Sequence, residues 1–197
     1  MRPRPAIGPC ALALLLVSAP ALAGNWQVLH EESTLGFTAT QTGSEFDGTF
    51  QFEADMTFHR KRPEDSLFDV TVDITSVETG SNDRDSTLAD QAWFWFSKYP
   101  DATFRTNRIV SKGGDRYEAM ADLTIKGNTH AVVLPFTWKQ DGDIAEMSGT
   151  VTAIMQGGLT MDRTRWDVGT GEWSSGDTVG RQVDIHVDLK LRHTGGD

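Results

Sequence analysis

The chain has 197 residues, one cysteine and a formal charge of −10 at pH 7, from 28 acidic against 18 basic side chains. That acidity repels phosphate backbones and excludes nucleic acid as an expected partner. One cysteine excludes an internal disulfide framework, so stability has to come from an apolar core, which a chain of this length can build.

The N-terminus reads as an export signal. Arg2 and Arg4 form a basic start, "CALALLLVSA" (Cys10 to Ala19) is a short apolar run, and "ALA" at Ala21 to Ala23 is a small-residue cleavage site. The apolar run is too short to span a bilayer. Residues 1–23, Cys10 among them, are expected to be removed, leaving 24–197 as one periplasmic domain without stable membrane insertion.

Period-two alternation then dominates. The first expected strand, 25–42, must bend near Glu31 to Thr34, because its apolar parity shifts from Trp26 and Val28 to Leu35, Phe37 and Ala39. The second, 46–59, carries Phe50, Phe52, Ala54, Met56 and Phe58 on one face. The third, 66–76, sets Phe68, Val70, Val72 and Ile74 against Asp69, Thr71 and Asp73. Strands follow at 102–110, 115–125, 129–139, 145–157 and 180–192, separated by Gly, Pro and Asp-rich turns. Eight antiparallel strands with one apolar face each predict an all-β closed barrel, since closure removes exposed edges. A β-sandwich is the alternative arrangement.

The segment 77–101 interrupts this rhythm. Asn82 or Asp83 is the expected N-cap of a short helix over about 83–92. The run Trp93 to Phe96 follows it, and neither a helical nor a strand period keeps four consecutive rings out of water. The excursion, about 83–96, is expected to cover one end of the barrel. Its rings either complete the core or line the mouth of a pocket, Trp93 and Trp95 being the candidates for the second role.

Three stretches, "TSVETGSNDRDSTLADQAWFWFSKYPDATF", "ADLTIKGNTHAVVLPFTW" and "RTRWDVGTGEWSSGDTVGRQVDIHVDLKL", resemble the YceI-like, polyisoprenoid-binding family of exported bacterial proteins. The likeness covers about 25–192. It rests on Thr75-Ser76-Val77 followed by Arg84-Asp85, on Lys98-Tyr99-Pro100 with Phe104, and on Leu123 to Gly127 in that order. The resemblance implies a lipocalin-like barrel holding an isoprenoid, an isoprenoid quinone or another long-chain amphiphile, without catalytic activity and without a cofactor. Two positions depart from the family pattern: Trp95 stands where a small acidic or amide residue is usual, and Gly80 replaces an Asn. The extra ring at 95 is expected to narrow or reshape the mouth.

For the tail of such a ligand, the large inward-parity residues are the candidates: Phe37, Phe52, Phe68, Val70, Phe104, Leu123, Phe136, Met155 and Ile185. Each is equally an ordinary core residue. For a head group, Arg84 offers a guanidinium suited to phosphate or carboxylate, or else a salt-bridged helix start with Asp85. Arg163 and Arg165 beside Trp166 offer a second such place, or pair with Asp162 and Asp167 on the rim. The five histidines show no metal-ligand spacing, and no Gly-x-Ser-x-Gly elbow occurs. The rival readings are an enzyme acting on the same lipids, an outer-membrane barrel with its apolar parity outside, and a ligand-free module. A second copy of the chain stays open as a partner.

Overall fold

A 3₁₀ turn at His30–Glu32 resolves the parity shift near the start of the chain. It separates β1 (Asn25–Val28) from β2 (Thr34–Gln41), so that Trp26 and Val28 point inward on one side of the bend and Phe37 and Ala39 on the other. The computed structural model describes residues 25–142 and 150–194; the expected signal segment and the first residues of the expected strand 145–157 lie outside them. The remaining elements are β3 (Ser44–Thr57), β4 (Leu67–Glu78), α1 (Asn82–Leu88), β5 (Asp101–Gly113), β6 (Arg116–Ile125), β7 (Asn128–Asp141), β8 (Thr150–Asp162) and β9 (Gln182–Thr194).

Every neighbouring pair is antiparallel, and the pairings β2–β9 and β3–β4 close the sheet into an eight-stranded barrel. β1 prolongs the position of β2: Trp26 pairs with Met56 of β3 and Val28 with Leu191 of β9. The expected long first strand is thus two segments in one slot of the barrel. Closure leaves no room for the sandwich alternative. Between Thr49 and Gln51 the β3–β4 register slips, and there the Gln51 N–H donates to the Ser76 hydroxyl at 2.8 Å. That bond gives the Gln51 donor a partner where the ladder is interrupted.

Outward positions carry charge. Arg105 pairs with Asp69 across β4 and β5, Lys112 with Glu118 across β5 and β6, and Lys190 with Glu32. An outer face of that kind inverts the pattern of a lipid-facing barrel.

Helix α1 starts and stops differently from the expectation. Its N-cap is Ser81, in extended conformation, whose hydroxyl accepts from the Arg84 N–H. It ends at Leu88, four residues short of 92. Beyond it the Phe94 and Phe96 amides fold back onto the carbonyls of Leu88 and Ala89. A continued helix would have forced part of the aromatic run into water.

Candidate binding site

The interior is filled in one half and hollow in the other. At the end formed by β1 and the last residues of β3, β5, β7 and β9, an aromatic plug fills the barrel. Phe58 lies tilted against Trp138 at 4.2 Å between centroids and meets Tyr117 edge-on at 5.0 Å, and Phe68 and Phe136 pack beside them. Above this plug lies a cavity of about 510 Å³. Its floor is Met56, Phe68, Leu134, Met155 and Leu189; its walls include Phe52, Val70, Phe104, Val187 and Ile185. The polar residues on its lining are confined to Gln41, Ser81, Asp83, Arg84, Thr87 and Arg163. All but Arg163 lie on α1, its cap or the end of β2, which places the mouth there.

The cover is built from two irregular segments. Trp93 and Phe94 line the cavity and Phe96 packs against the same cluster, whereas Trp95 turns out into a separate outer groove with Tyr99 and Lys126. The reversal rests on the left-handed backbone of Trp95, at φ 56°. Lys98 lies over the outer ring at 4.4 Å. The expectation that Trp95 narrows the mouth is therefore corrected: the positive φ sends its ring to the opposite side of the cover. Gly80, the other departure, has φ 72°, a conformation that Gly and Asn share more readily than other residues.

The second segment, 163–181, is organised around Arg163. Its five N–H groups donate to five backbone carbonyls: Nε to Gly180 at 2.9 Å, Nη1 to Val168 and Gly169 at 2.7 and 3.0 Å, and Nη2 to Trp173 and Val179 at 2.6 and 2.7 Å. A guanidinium has five such donors, so none is left for a head group. Burial pushes the Arg163 pKa down, against the pull of Asp162. Neither sequence-based role, head-group receptor nor rim ion pair, survives; the side chain is the hub of its own loop and a cation beneath the Trp93 ring at 4.8 Å. Asp162 pairs with Arg181 instead. Burial pushes the Asp162 carboxyl up, but hydrogen bonds from Thr164 and Arg181 outweigh it and hold the pKa below the usual value.

Two devices join the segments. The Ala92 carbonyl accepts the amides of Gly169 and Thr170 at 2.9 and 2.8 Å. The Lys126 ammonium, on the β6–β7 turn, donates to the carbonyls of Gln91 and Asp167, both at 2.7 Å. Burial lowers the Lys126 pKa, partly opposed by Asp167.

At the mouth, Arg84 makes no ion pair with Asp85. Its Nε donates to the Thr79 hydroxyl, Nη1 to Gln41 Oε1 (2.9 Å) and Nη2 to the Thr79 carbonyl, while the guanidinium lies over Phe46 at 4.0 Å. Asp85 accepts instead from the Thr79 amide and hydroxyl. Arg84 thus ties α1 to β2 and β4 through neutral partners and keeps two of its five donors unspent. On the cover, the buried Trp93 indole N–H has no acceptor.

Of the residues singled out from sequence, Phe37, Phe52, Phe68, Val70, Arg84, Trp93, Phe104, Leu123, Met155, Arg163 and Ile185 line the cavity. Phe136 lies below the floor, stacked on Tyr117 at 5.4 Å. Trp166 is fully buried outside the cavity, its indole N–H donating to the Leu123 carbonyl at 3.0 Å, and Arg165 packs on its ring. Sequence reasoning missed Phe46, Phe50, Phe94, Trp173 and Val179. Phe46 and Phe50 share the inward parity of Phe52 and were readable from it; Trp173 and Val179 sit in irregular backbone with no period to betray them. Among the described residues no three His, Cys, Asp or Glu side chains gather as metal ligands.

The fold and its hollow half define the chain as a lipocalin-like barrel with an internal apolar cavity. It belongs to the family described as the YceI-like domain, which matches residues 26–191. UPF0312 protein plu2095 of Photorhabdus laumondii is 36% identical over 132 residues, 65% of this chain and 68% of that protein. Proteins named YceI from Escherichia coli match over about half of their own length. The crystal structure of Burkholderia cenocepacia BcnA superimposes with a TM-score of 0.75 at 29% identity, covering 85% of this chain and 100% of that one. A polyisoprenoid binding domain from Saccharophagus degradans, described as implicated in plant cell wall breakdown, shares the fold with a TM-score of 0.61 at 13% identity, over 88% and 99% of the two chains.

Proposed function

We propose that this protein is an exported, non-catalytic carrier that holds one isoprenoid, isoprenoid quinone or similar amphiphile, tail inward, in the periplasm. The observation that carries the reading is the half-filled barrel: an apolar cavity of about 510 Å³ above a packed floor, with polar lining confined to one rim and one buried arginine. That volume lies within the usual range for sites that enclose one small ligand, about 300–1,000 Å³. Each buried methylene contributes up to about 0.8 kcal/mol, so a tail drives binding without specific contacts. Arg84, with two donors to spare, is the head-group partner; Arg163 is not. Shape-tolerant burial makes selectivity for tail chemistry modest, and the binding domain from Saccharophagus degradans supports an isoprenoid as the first class to try.

The test is native mass spectrometry of mature protein purified without detergent, followed by solvent extraction. A stoichiometric long-chain lipid supports the carrier reading and gives its chemistry. A bare mass, together with no change in Trp fluorescence on adding isoprenoids, overturns it in favour of a ligand-free module.

A further inference from the structure

The outer groove beside Trp95 is built as carefully as the cavity, and the two share no lining residue. Its lining comes from three separate segments of the chain, within 90–99, 126–128 and 167–170. Trp95 and Tyr99, both partly buried, stand at 80° with 5.9 Å between ring centroids, so they form a corner rather than a stack. Tyr99 is seated on the β6–β7 turn, where a Cβ at Gly127 would come within 3.1 Å of its ring. Trp95 reaches the groove only through its left-handed backbone, φ 56°, which a bulky residue adopts at a cost. Strain of that kind, held in place by the surrounding structure, clusters at ligand sites. Lys98, whose ammonium lies 4.4 and 5.0 Å from the two centroids, is not part of the lining.

The polar part of the groove combines one fixed cation with free acceptors. Lys126 spends two of its three N–H groups on the carbonyls of Gln91 and Asp167, both at 2.7 Å, and keeps the third. The Asp90 carboxylate, the Gln91 side-chain amide and the Tyr99 hydroxyl have no protein partner among the described residues. Asp167 uses one carboxylate oxygen on Asn128, at 3.3 Å. A phosphate or sulfate placed here meets two carboxylates, and an organic cation meets the Lys126 ammonium. A plain hydrocarbon takes the carboxylates out of water with nothing in return. The groups are satisfied together by a neutral molecule with an apolar ring face and several hydroxyls around its edge. We propose that the groove is a second binding site, for a pyranose unit of a neutral saccharide. One face of the sugar lies on Trp95; its hydroxyls donate to Asp90 and Asp167 and accept from Lys126 and Gln91. The site stands independently of what the cavity holds.

The experiment is an NMR titration of the ¹⁵N-labelled protein with cellobiose, lactose and N,N′-diacetylchitobiose, with inorganic phosphate and choline as charged controls. Saturable shifts are expected with at least one disaccharide, at the Trp95 indole N–H and the amides of 90–99 and 126–128, and with neither control. Trp95→Asn removes the ring but suits the left-handed backbone, so the barrel amides are expected to keep their positions. The same saccharide should then bind at least about tenfold more weakly, as for loss of an aromatic anchor. Asp90→Ala, at an exposed side chain with no partner to lose, should weaken it about fivefold, the worth of one hydrogen bond. The proposal is overturned by silence with all three disaccharides, by shifts confined to residues of the cavity, or by phosphate or choline binding in the groove instead. Undiminished binding by a folded Trp95→Asn variant overturns it as well.

Discussion

Gly169 leaves the space that Arg163 fills. A Cβ at position 169 would stand 1.8 Å from Arg163 Nη1, and the backbone there has φ 75°. Gly169→Ala therefore meets both a steric clash and left-handed strain. The expected loss is about 3 kcal/mol of stability, from a local outlier compounded by displacement of a buried hydrogen-bonding hub. Urea denaturation followed by Trp fluorescence measures it. A loss within about 0.5 kcal/mol, the range of ordinary surface substitutions, would contradict this packing.

Arg163→Lys isolates the hub from the clash. An ammonium brings three donors in place of five and no planar fork. At least two buried carbonyls are left unsatisfied, at about 1–3 kcal/mol each. The expected result is a protein destabilised by about 3 kcal/mol whose β-strand circular dichroism is unchanged at low temperature. If Lys is tolerated without loss, water satisfies those carbonyls and the hub is not what holds the loop.

The closed barrel was legible because alternation is local. Phe68, Val70, Val72 and Ile74, or Val183 to Leu191, report their inward face in the sequence itself, and even the break before β2 showed as a parity shift. The hollow half was not legible. Phe136 and Ile185 both lie on the inward parity of their strands, yet one is plug and the other is wall, because depth along the barrel depends on register against distant strands. The cover failed for a different reason. A single positive φ at Trp95 reverses a side chain, and five carbonyls arriving from 168–180 consume a guanidinium that residue types alone would offer to an anion.

Lys126 is expected to control how fast the cover opens. Its two carbonyl contacts join the β6–β7 turn to both cover segments. Lys126→Met keeps most of the stem and removes both bonds, a loss of about 1 kcal/mol each at most for partly exposed groups. Hydrogen exchange should then speed up at the amides of 91–98 and 167–170 while the strand amides of β6 and β7 keep their protection. Uniform acceleration through the barrel would show that Lys126 supports the whole fold rather than the cover.

Gly48 bears on the mouth. It faces inward on β3, and a Cβ there would stand 2.4 Å from the Phe37 ring. The ring lies among Phe46 and Phe50, at 6.1 and 5.4 Å between centroids, and borders the cavity. Gly48→Ala is expected to push Phe37 toward the cavity, with a modest stability cost of about 1–2 kcal/mol for overpacking and a larger proportional loss of prenol affinity. Titration and urea denaturation on the same preparation separate the two. Unchanged affinity would place the ring's escape route away from the ligand path.

His193 gives the plugged end a dependence on pH. It is 6% exposed, packs on Trp26 with 5.5 Å between ring centroids, and has no partner for its buried Nδ1 among the described residues. Burial lowers its pKa, since the charged imidazolium loses water and gains no compensating contact. The unfolded chain therefore takes up this proton at higher pH than the folded one. The contribution is fully present above the unfolded value, about 6.5, and is lost as pH falls through the lower folded value. His193→Phe keeps a ring against Trp26 and removes the titration. The difference in unfolding free energy between wild type and variant should stay constant above about pH 7, then shift in favour of the variant as the pH is lowered to about 5. Parallel profiles over that range would mean that His193 is protonated as readily in the folded barrel as in the unfolded chain.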